Sequence, residues 1–200
     1  PFGIFPDVED TVARPFRALE TSGASEGGRV LITAGGTREA IDPVRYIGNR
    51  SSGKMGHALA RAAHAMGAHV TLVTAAAGLS IPFGVEGVHV ESAAQMHAAV
   101  SERFDACSML ICAAAVADYT PAHPADQKLS KADGELKHIE LIKTQDILAD
   151  MSARKGNRIV VGFAAETNHL AERAHAKLAR KGCDAIVAND VSRADSTFGS

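Results

Sequence analysis

Three segments of this 200-residue chain set polar residues able to do chemistry among glycines and small side chains. The first runs from Gly35-Gly36-Thr37-Arg38-Glu39 through Asp42-Pro43-Val44-Arg45-Tyr46-Ile47 to Gly48-Asn49-Arg50-Ser51-Ser52-Gly53-Lys54-Met55-Gly56. Its glycines let backbone approach a phosphate closely, and Arg45 and Asn49 offer a cation and a neutral amide. Ser51 or Ser52 is expected to cap a following helix, whose N-terminus favours negative charge. The second segment is Cys112-Ala113-Ala114-Ala115-Val116-Ala117-Asp118-Tyr119. Small side chains there admit a ligand, and Asp118 is placed to hold a metal or a ribose; an Asp that merely caps a strand end is the equal alternative. The third is Val160-Val161-Gly162-Phe163-Ala164-Ala165-Glu166-Thr167, followed by a stretch with Arg173, Lys177, Arg180 and Lys181. Helical spacing puts Arg173, Lys177 and Lys181 on one face, a stripe able to meet a polyphosphate, although a solvated basic face is the commoner explanation.

Standard motifs fit these segments poorly. Gly48 to Lys54 satisfies GxxxxGK, but Met55 stands where a P-loop needs a hydroxyl for magnesium, and no full strand directly precedes it. The dinucleotide GxGxxG fails in spacing, and Val73-Thr74-Ala75 offers no acid for a ribose, which weakens NAD binding and leaves it open. The nine His form neither HExxH nor a clustered pair, and there is no GxSxG elbow. Cys112, in an apolar run, reads as a small buried side chain rather than a nucleophile.

The elements that must position these segments follow from apolar patterning. Short apolar runs at Val30 to Ala34, Val70 to Val73, Val88 to Glu91, Met109 to Ala115, Ile159 to Phe163 and Ala185 to Ala188 read as strands. Helical periods run from Met55 to Met66, stopped by Gly67, from Ala94 to Phe104, and from about Asn168 to Lys181. Strand and helix alternating in this way predict an α/β fold, a Rossmann-like parallel sheet with helices on both faces and ligands beyond the carboxyl ends of the strands. The departure is Asp118 to Thr144, polar, with Pro121, Pro124 and a weak strand-like stretch at Leu136 to Ile142. So long an excursion reads as a flap, and its part from Pro121 to Glu135 is expected to be mobile until it closes on phosphates.

Residues 1–28 have a broken pattern: Val12, Phe16 and Leu19 hint at a short amphipathic helix, and SGASEGG reads as a linker. The domain is expected to span 29–200. The chain begins with Pro1, and is expected to be cut from a longer polypeptide. A hydrophobic fraction of 46% supports a sizeable core, while a net charge of −2 gives no global attraction for nucleic acid or acidic lipid, so anion sites must be local. Aromatics at 4% with no Trp are too few for a base-stacking platform. No apolar run reaches the roughly 18 residues of a membrane span, so neither nucleic acid nor membrane is an expected partner. Three cysteines without CxxC spacing fit a reducing compartment, the cytoplasm.

In this order, ITAGGTREAIDPVRYIGNRSSGKMG, AAAVADYTP, ELIKTQDIL and VGFAAETN resemble the signatures of the phosphopantothenoylcysteine synthetase family, from about Arg29 to the end. That ligase of coenzyme A biosynthesis is, in most bacteria, the C-terminal half of a bifunctional protein. The resemblance implies a Rossmann-like homodimer that joins 4′-phosphopantothenate to L-cysteine, with CTP cleaved to CMP and pyrophosphate through an acyl-cytidylate, and with Mg2+ present. It implies that Asn49 converts the acyl-cytidylate and that Lys128 is the catalytic lysine of the flap. Lys128 also belongs to the implied nucleotide site, with Cys112, Ala113, Ala114, Asp118, Gln145, Asp146, Ile147, Leu148, Phe163, Lys177 and Lys181. Arg45, Asn49, Ser51, Ser52 and Gly53 would face the substrate's phosphate or acyl part. No metal ligands are implied. Residues 1–28 would be the connector from an absent flavin-dependent decarboxylase, through which higher oligomers are possible, and the C-terminal end would be incomplete. Two departures stand out: the flap's usual KxKK is Lys128-Leu129-Ser130-Lys131, and Gln145 replaces a proline. The rival readings are an NAD(P)-dependent oxidoreductase and a nucleotide-binding module without turnover. The ligase chemistry needs anions brought together by magnesium, lysines and helix N-termini, then a donor for a developing oxyanion, a task that suits an Asn amide. It needs no covalent nucleophile, which accounts for the lack of a triad.

Overall fold

The structure, a computed structural model, describes residues 27–130, 138–166 and 170–190. Its centre is β1 (Arg29–Ala34), whose last five residues are all buried, as a strand covered on both faces requires. β1 pairs in parallel with β4 (His69–Thr74) on one side and β6 (Met109–Cys112) on the other. β4 is followed outward by β5 (Glu86–His89), and β6 by β9 (Ile159–Glu166) and β10 (Ala185–Asp190). All pairings in this six-stranded sheet are parallel. Counted in chain order within the sheet, the strands lie 3-2-1-4-5-6, the Rossmann order, and the winding direction reverses between β1 and β6.

Side chains along each strand alternate between two cores. Val30, Ile32, Val70 and Leu72 face α1 (Lys54–Ala65), which buries Leu59, Ala60 and Ala63 against them. Leu31, Val73, Leu110 and Val160 face the opposite way, toward Met96, Val100 and Phe104 of α2 (Ala93–Phe104) and Leu148 and Met151 of α3 (Ile147–Ala153). α4 (Leu170–Lys181) joins that second core through Ala174. Among the described residues, then, one helix covers one face and three the other. No helix among them is long and apolar enough to cross a membrane.

The expected elements are present with shifted ends. The strand expected over Met109 to Ala115 stops at Cys112, after which a single bridge, Gly36 to Ala115, continues the pairing. Four strands of three residues each escape the sequence pattern because they are too short to show a period of two. β2 (Arg38–Ala40) and β3 (Tyr46–Gly48) form one antiparallel ribbon; β7 (Tyr119–Pro121) and β8 (Leu141–Lys143) form another. The strand-like stretch at Leu136 to Ile142 is thus only β8 where it is described. α3, at seven residues, is likewise too short for a clear helical period. The expected helix around Val12 to Leu19 lies outside the described residues.

The serine cap expected for α1 is a correction. The N-cap is Gly53, at φ 78° and with no side-chain cap; Ser52 Oγ only approaches Lys54 N at 3.4 Å. A Cβ on Gly53 would come within 2.5 Å of the Ala76 Cβ, so this end of α1 is pressed against the loop after β4, and only glycine fits both the space and the left-handed backbone. α2 shows what a serine cap looks like here, a complete capping box of Ser92 and Gln95.

One turn into α1, His57 is 2% exposed. Its Nδ1 sits 3.0 Å from Gly53 O, while Nε2 is buried and has no partner among the described residues. Burial pushes the imidazole pKa down, and Arg61 and His89 push it the same way against the Gly53 contact. The unfolded chain therefore binds the proton first, so the stability held above about pH 6.5 is lost as pH falls below it. Urea unfolding at pH 7, 6 and 5 is expected to show a shallower loss in His57→Leu than in wild type. Equal slopes would place the acid lability elsewhere.

Candidate active site

The carboxyl ends of β1 and β6 diverge, and the chain fastens them with side-chain and backbone hydrogen bonds. Thr33 Oγ1 accepts from Ala114 N at 3.2 Å and Thr37 Oγ1 from Ala117 N at 2.9 Å. Ala115 N donates to Gly35 O at 2.9 Å, and Thr37 N to Ala115 O at 3.3 Å. Both threonines are buried, at 1% and 0% exposure. Asn49 then lies across this seam, its Nδ2 donating to Ala115 O at 3.3 Å and Val116 O at 3.1 Å. Both partners are carbonyl oxygens, so the amide's orientation is fixed. A Cβ on Gly36 would fall 2.5 Å from Asn49 O, so that position too must be glycine.

Beyond the seam opens a two-lobed cleft of about 460 and 370 Å³, the lobes sharing Ala114, Val116, Asp118, Phe163 and Lys177. The first lobe carries Cys112, Gln145, Asp146, Lys181 and an apolar floor of Ile147 and Leu148. The second carries Asn49, Ser51, Ser52, Gly53 and Ala113, beside the N-terminal end of α1. Neither serine is the N-cap; Ser52 Oγ accepts from Lys54 N at 3.4 Å, which leaves its hydroxyl hydrogen to donate, and the helix end favours an anion.

Three charged groups of the first lobe, Asp146, Lys177 and Lys181, already have partners. Asp146 caps α3 by accepting from Ala149 N at 3.0 Å, and its other oxygen meets Lys181 Nζ. Burial pushes its carboxyl pKa up, but the Lys181 hydrogen bond, the Ala149 N–H and Lys177 outweigh it, so Asp146 stays ionised below the usual carboxylate range. Lys177 Nζ donates to Phe163 O at 2.6 Å. Both lysines thus stand fixed in the wall, which saves ordering them when an anionic ligand arrives.

Most residues that the sequence singles out converge on this cleft, and some stand apart. Arg45 and Lys128 do not line either lobe; Arg45 is held at the β2–β3 turn by Asp42, and Lys128 is exposed in the excursion. Of the basic stripe, Lys177 and Lys181 reach the cleft and exposed Arg173 does not. Lys131 and Thr167 lie outside the described residues. Sequence reasoning misses Thr33, Thr37 and Thr144, whose hydroxyl donates to Ala117 O at 2.6 Å. Thr33 sits inside an apolar strand, Thr37 follows Gly35-Gly36 and Thr144 follows Leu141-Ile142-Lys143, and none of these settings reveals a partner in the sequence. It also misses two buried carboxylates: Glu39, which accepts from Ala93 N at 2.8 Å, and Asp42.

Among the described residues no group of three or more His, Cys, Asp or Glu is placed to hold a metal. The cleft can grip phosphates at one end and a flat polar group over an apolar floor at the other. Among the described residues it offers no activated nucleophile.

Residues 25–200 match the family model described as the DNA/pantothenate metabolism flavoprotein C-terminal domain. The chain is 51% identical over 176 residues to the coenzyme A biosynthesis bifunctional protein CoaBC of Vibrio cholerae, covering 87% of this chain and 44% of that protein. It is 49% identical over 183 residues to the CoaBC of Bacillus subtilis, covering 91% and 45%. The chain therefore spans less than half the length of these curated relatives. Among solved structures, the C-terminal domain of a CoaBC superposes with TM-score 0.73 at 44% identity, over 82% of this chain and 78% of that one. A Cab2 mutant in complex with phosphopantothenate-cysteine shares the fold at TM-score 0.68 and 17% identity, over 96% and 82%.

Burial pushes the thiols of the cleft residue Cys112 and of Cys107 up to about 12 and about 11, and raises that of Cys183. At pH 8 a thiol at 12 is about 10³-fold poorer in thiolate than a free cysteine. Iodoacetamide at pH 8 is therefore expected to label Cys112 at least 100-fold more slowly in the native protein than in urea, read by peptide mass spectrometry. Rapid native labelling would reopen a nucleophilic role.

Proposed function

The chain belongs to the DNA/pantothenate metabolism flavoprotein C-terminal domain family, and on that premise we propose that it is a ligase of coenzyme A biosynthesis that joins 4′-phosphopantothenate to L-cysteine using CTP. The observation that carries the reading is the two-lobed cleft, with paired lysines in one lobe, Asn49 and a helix N-terminus in the other, and small residues where they meet. The names of the relatives support the pathway.

In the first step the phosphopantothenate carboxylate attacks the α-phosphorus of CTP, the bond to the bridging oxygen breaks, and pyrophosphate leaves with its electron pair. Every participant is anionic, so the work is positioning and charge neutralisation. The nucleotide occupies the first lobe, its base over Ile147 and Leu148 and its phosphates toward Lys177 and Lys181, with the long side chain of Lys128 reaching in from the excursion. Asp146 is committed to Lys181 and the α3 N-terminus, so Asp118 is the cleft carboxylate left to hold Mg2+, together with the phosphates. When bound, the metal supplies neutralisation of the triphosphate.

In the second step the cysteine amine attacks the acyl carbon, CMP departs with the electron pair of the acyl–oxygen bond, and the amine loses a proton. Asn49 acts here. Its N–H2 group rests on the Ala115 and Val116 carbonyls, so donating to the oxyanion requires leaving one of them, while Oδ1 is the atom able to accept from the incoming amine. Two exposed ribbons, with Tyr46 at 54%, Ile142 at 50% and Tyr119 at 47% exposure, are the face that a second copy covers in a homodimer. The unpaired, high-pKa thiols suit a reducing cytoplasm.

The test is turnover by the full-length protein that contains this chain, with phosphopantothenate, cysteine, CTP and Mg2+, following CMP and pyrophosphate. One of each per amide formed is expected, with ATP a poor substitute; neither product from a folded dimer would overturn the ligase. The two steps also separate by mutation. Lys128→Gln is expected to slow the single-turnover pyrophosphate burst by about 10²-fold. Asn49→Asp, which sets carboxylate oxygen against two carbonyls, is expected to keep the burst and accumulate acyl-cytidylate, read by rapid quench and mass spectrometry. If Asn49→Asp blocks the burst as fully as Lys128→Gln, this division of labour is wrong.

A further inference from the structure

The carboxylate of Asp42, 3% exposed in the turn between β2 and β3, does more than close that turn. Its Oδ1 accepts from Val44 N and Arg45 N, both at 2.8 Å, which pairs the two N–H groups that follow Pro43 in the turn. Its Oδ2 accepts from Arg45 Nε at 2.9 Å and Nη2 at 2.5 Å, and also from Leu129 N at 3.2 Å, a residue 87 positions away. Arg45 Nη2 in turn donates to Leu129 O at 2.6 Å. Both the N–H and the C=O of Leu129 are therefore gripped, one by the carboxylate and the other by the guanidinium. A further tie, Ala125 N to Ile41 O at 2.9 Å, binds the same stretch to the same turn.

Packing does not explain this attachment. Leu129 is 37% exposed, and its neighbours from Asp126 to Ser130 are exposed as well. What holds the stretch is an ion pair whose members are already oriented by the turn. Burial pushes the Asp42 carboxyl pKa up, but Arg45 and the three backbone N–H groups hold it well below the usual carboxylate range, so the clamp is charged at any working pH. The two residues that the proposed reaction needs most lie at its two ends. Lys128 immediately precedes the gripped residue, and β3 runs from the turn through Gly48 directly into Asn49.

We propose that Asp42 and Arg45 are positioning residues which fix Lys128 relative to Asn49 by clamping the Leu129 peptide to the hairpin. The role in catalysis rests on the ligase reading, whereas the clamp itself does not. It also gives Arg45 work at the flap rather than on the substrate.

Asp42→Asn dissects the clamp from the turn. An amide oxygen still accepts from the Val44 and Arg45 N–H groups, but its N–H2 then faces the Leu129 N–H and the guanidinium, donors against donors. In the full-length protein, amide hydrogen exchange at Ala125 and Leu129 is expected to speed up in Asp42→Asn, while the β1 amides and the melting temperature stay near wild type. The pyrophosphate burst is expected to fall about 10- to 100-fold with KM for cysteine unchanged. Adding Lys128→Gln to Asp42→Asn is expected to cost little more, because the lysine is already misplaced. Arg45→Lys, which keeps the charge and loses the fork, is expected to show the same pattern if Asp42→Asn folds poorly. Unchanged exchange at Leu129, or fully multiplicative losses in the double variants, would overturn the clamp. Faster exchange in a protein whose wild type forms no pyrophosphate would keep the clamp and remove the ligase reading.

Discussion

Everything at the active end of this fold depends on how the seam between β1 and β6 is closed. At that point the chain winds away in both directions, so the loops leaving the two strands part company and their N–H and C=O groups lose their ladder partners. Buried and unpaired, each such group would cost about 1–3 kcal/mol. Thr33 and Thr37 supply the missing acceptors to Ala114 N and Ala117 N, and the bridge between Gly36 and Ala115 pairs Ala115 N with Gly35 O and Thr37 N with Ala115 O. Only once this seam is fixed do the Ala115 and Val116 carbonyls stand where Asn49 meets them. The small side chains of the second segment matter for the same reason: anything larger would fill the junction between the two lobes.

With a net charge of −2, the protein has no overall field to attract anions, so any attraction for them has to come from local arrangements. Asp146 links two local arrangements, since it caps α3 and holds Lys181, and by both contacts it remains ionised. Lys177 is steadied by the Phe163 carbonyl at a point common to both lobes. Held by a carboxylate and a carbonyl, the two lysines have already lost side-chain freedom, so an anion bound beside them would cost less ordering than one met by a solvated lysine. Lys177 and Lys181 line the cleft, whereas exposed Arg173, one turn earlier on the same helix, does not.

The strands of the main sheet and three of its helices are legible in the sequence because burial on both faces or on one stripe writes a strong apolar pattern. Val30 to Ala34 is the clearest case. The three-residue ribbon strands leave no such trace, and their positions are set by partners such as Arg38 to Gly48 across a turn. The cleft residues of the second and third segments are legible as chemistry, yet their company is not. That Ser52 yields the cap to Gly53 depends on how closely Ala76 approaches, and that Arg45 turns toward Leu129 depends on a contact 84 residues away. Long-range contacts of this kind are fixed by the fold and have no local signature.

The strand order is that of dinucleotide-binding proteins, and the reason the cleft is differently placed is visible in the backbone. In such proteins a ribose is held by an acid at the end of the strand after the glycine turn. Here that strand is β4, and it ends in Thr74, 1% exposed, whose hydroxyl is already engaged by Ala76 N at 3.1 Å. Ala76 itself packs onto Gly53, so the chain's own backbone fills the β4 side of the switch point. The open space therefore lies on the β6 and β9 side, between Asn49, Asp118 and Phe163. There the glycine turn no longer cradles a pyrophosphate from below. Instead it carries Asn49 over the seam and leaves the N-terminal end of α1 facing a cavity walled by the loops that follow β6 and β9.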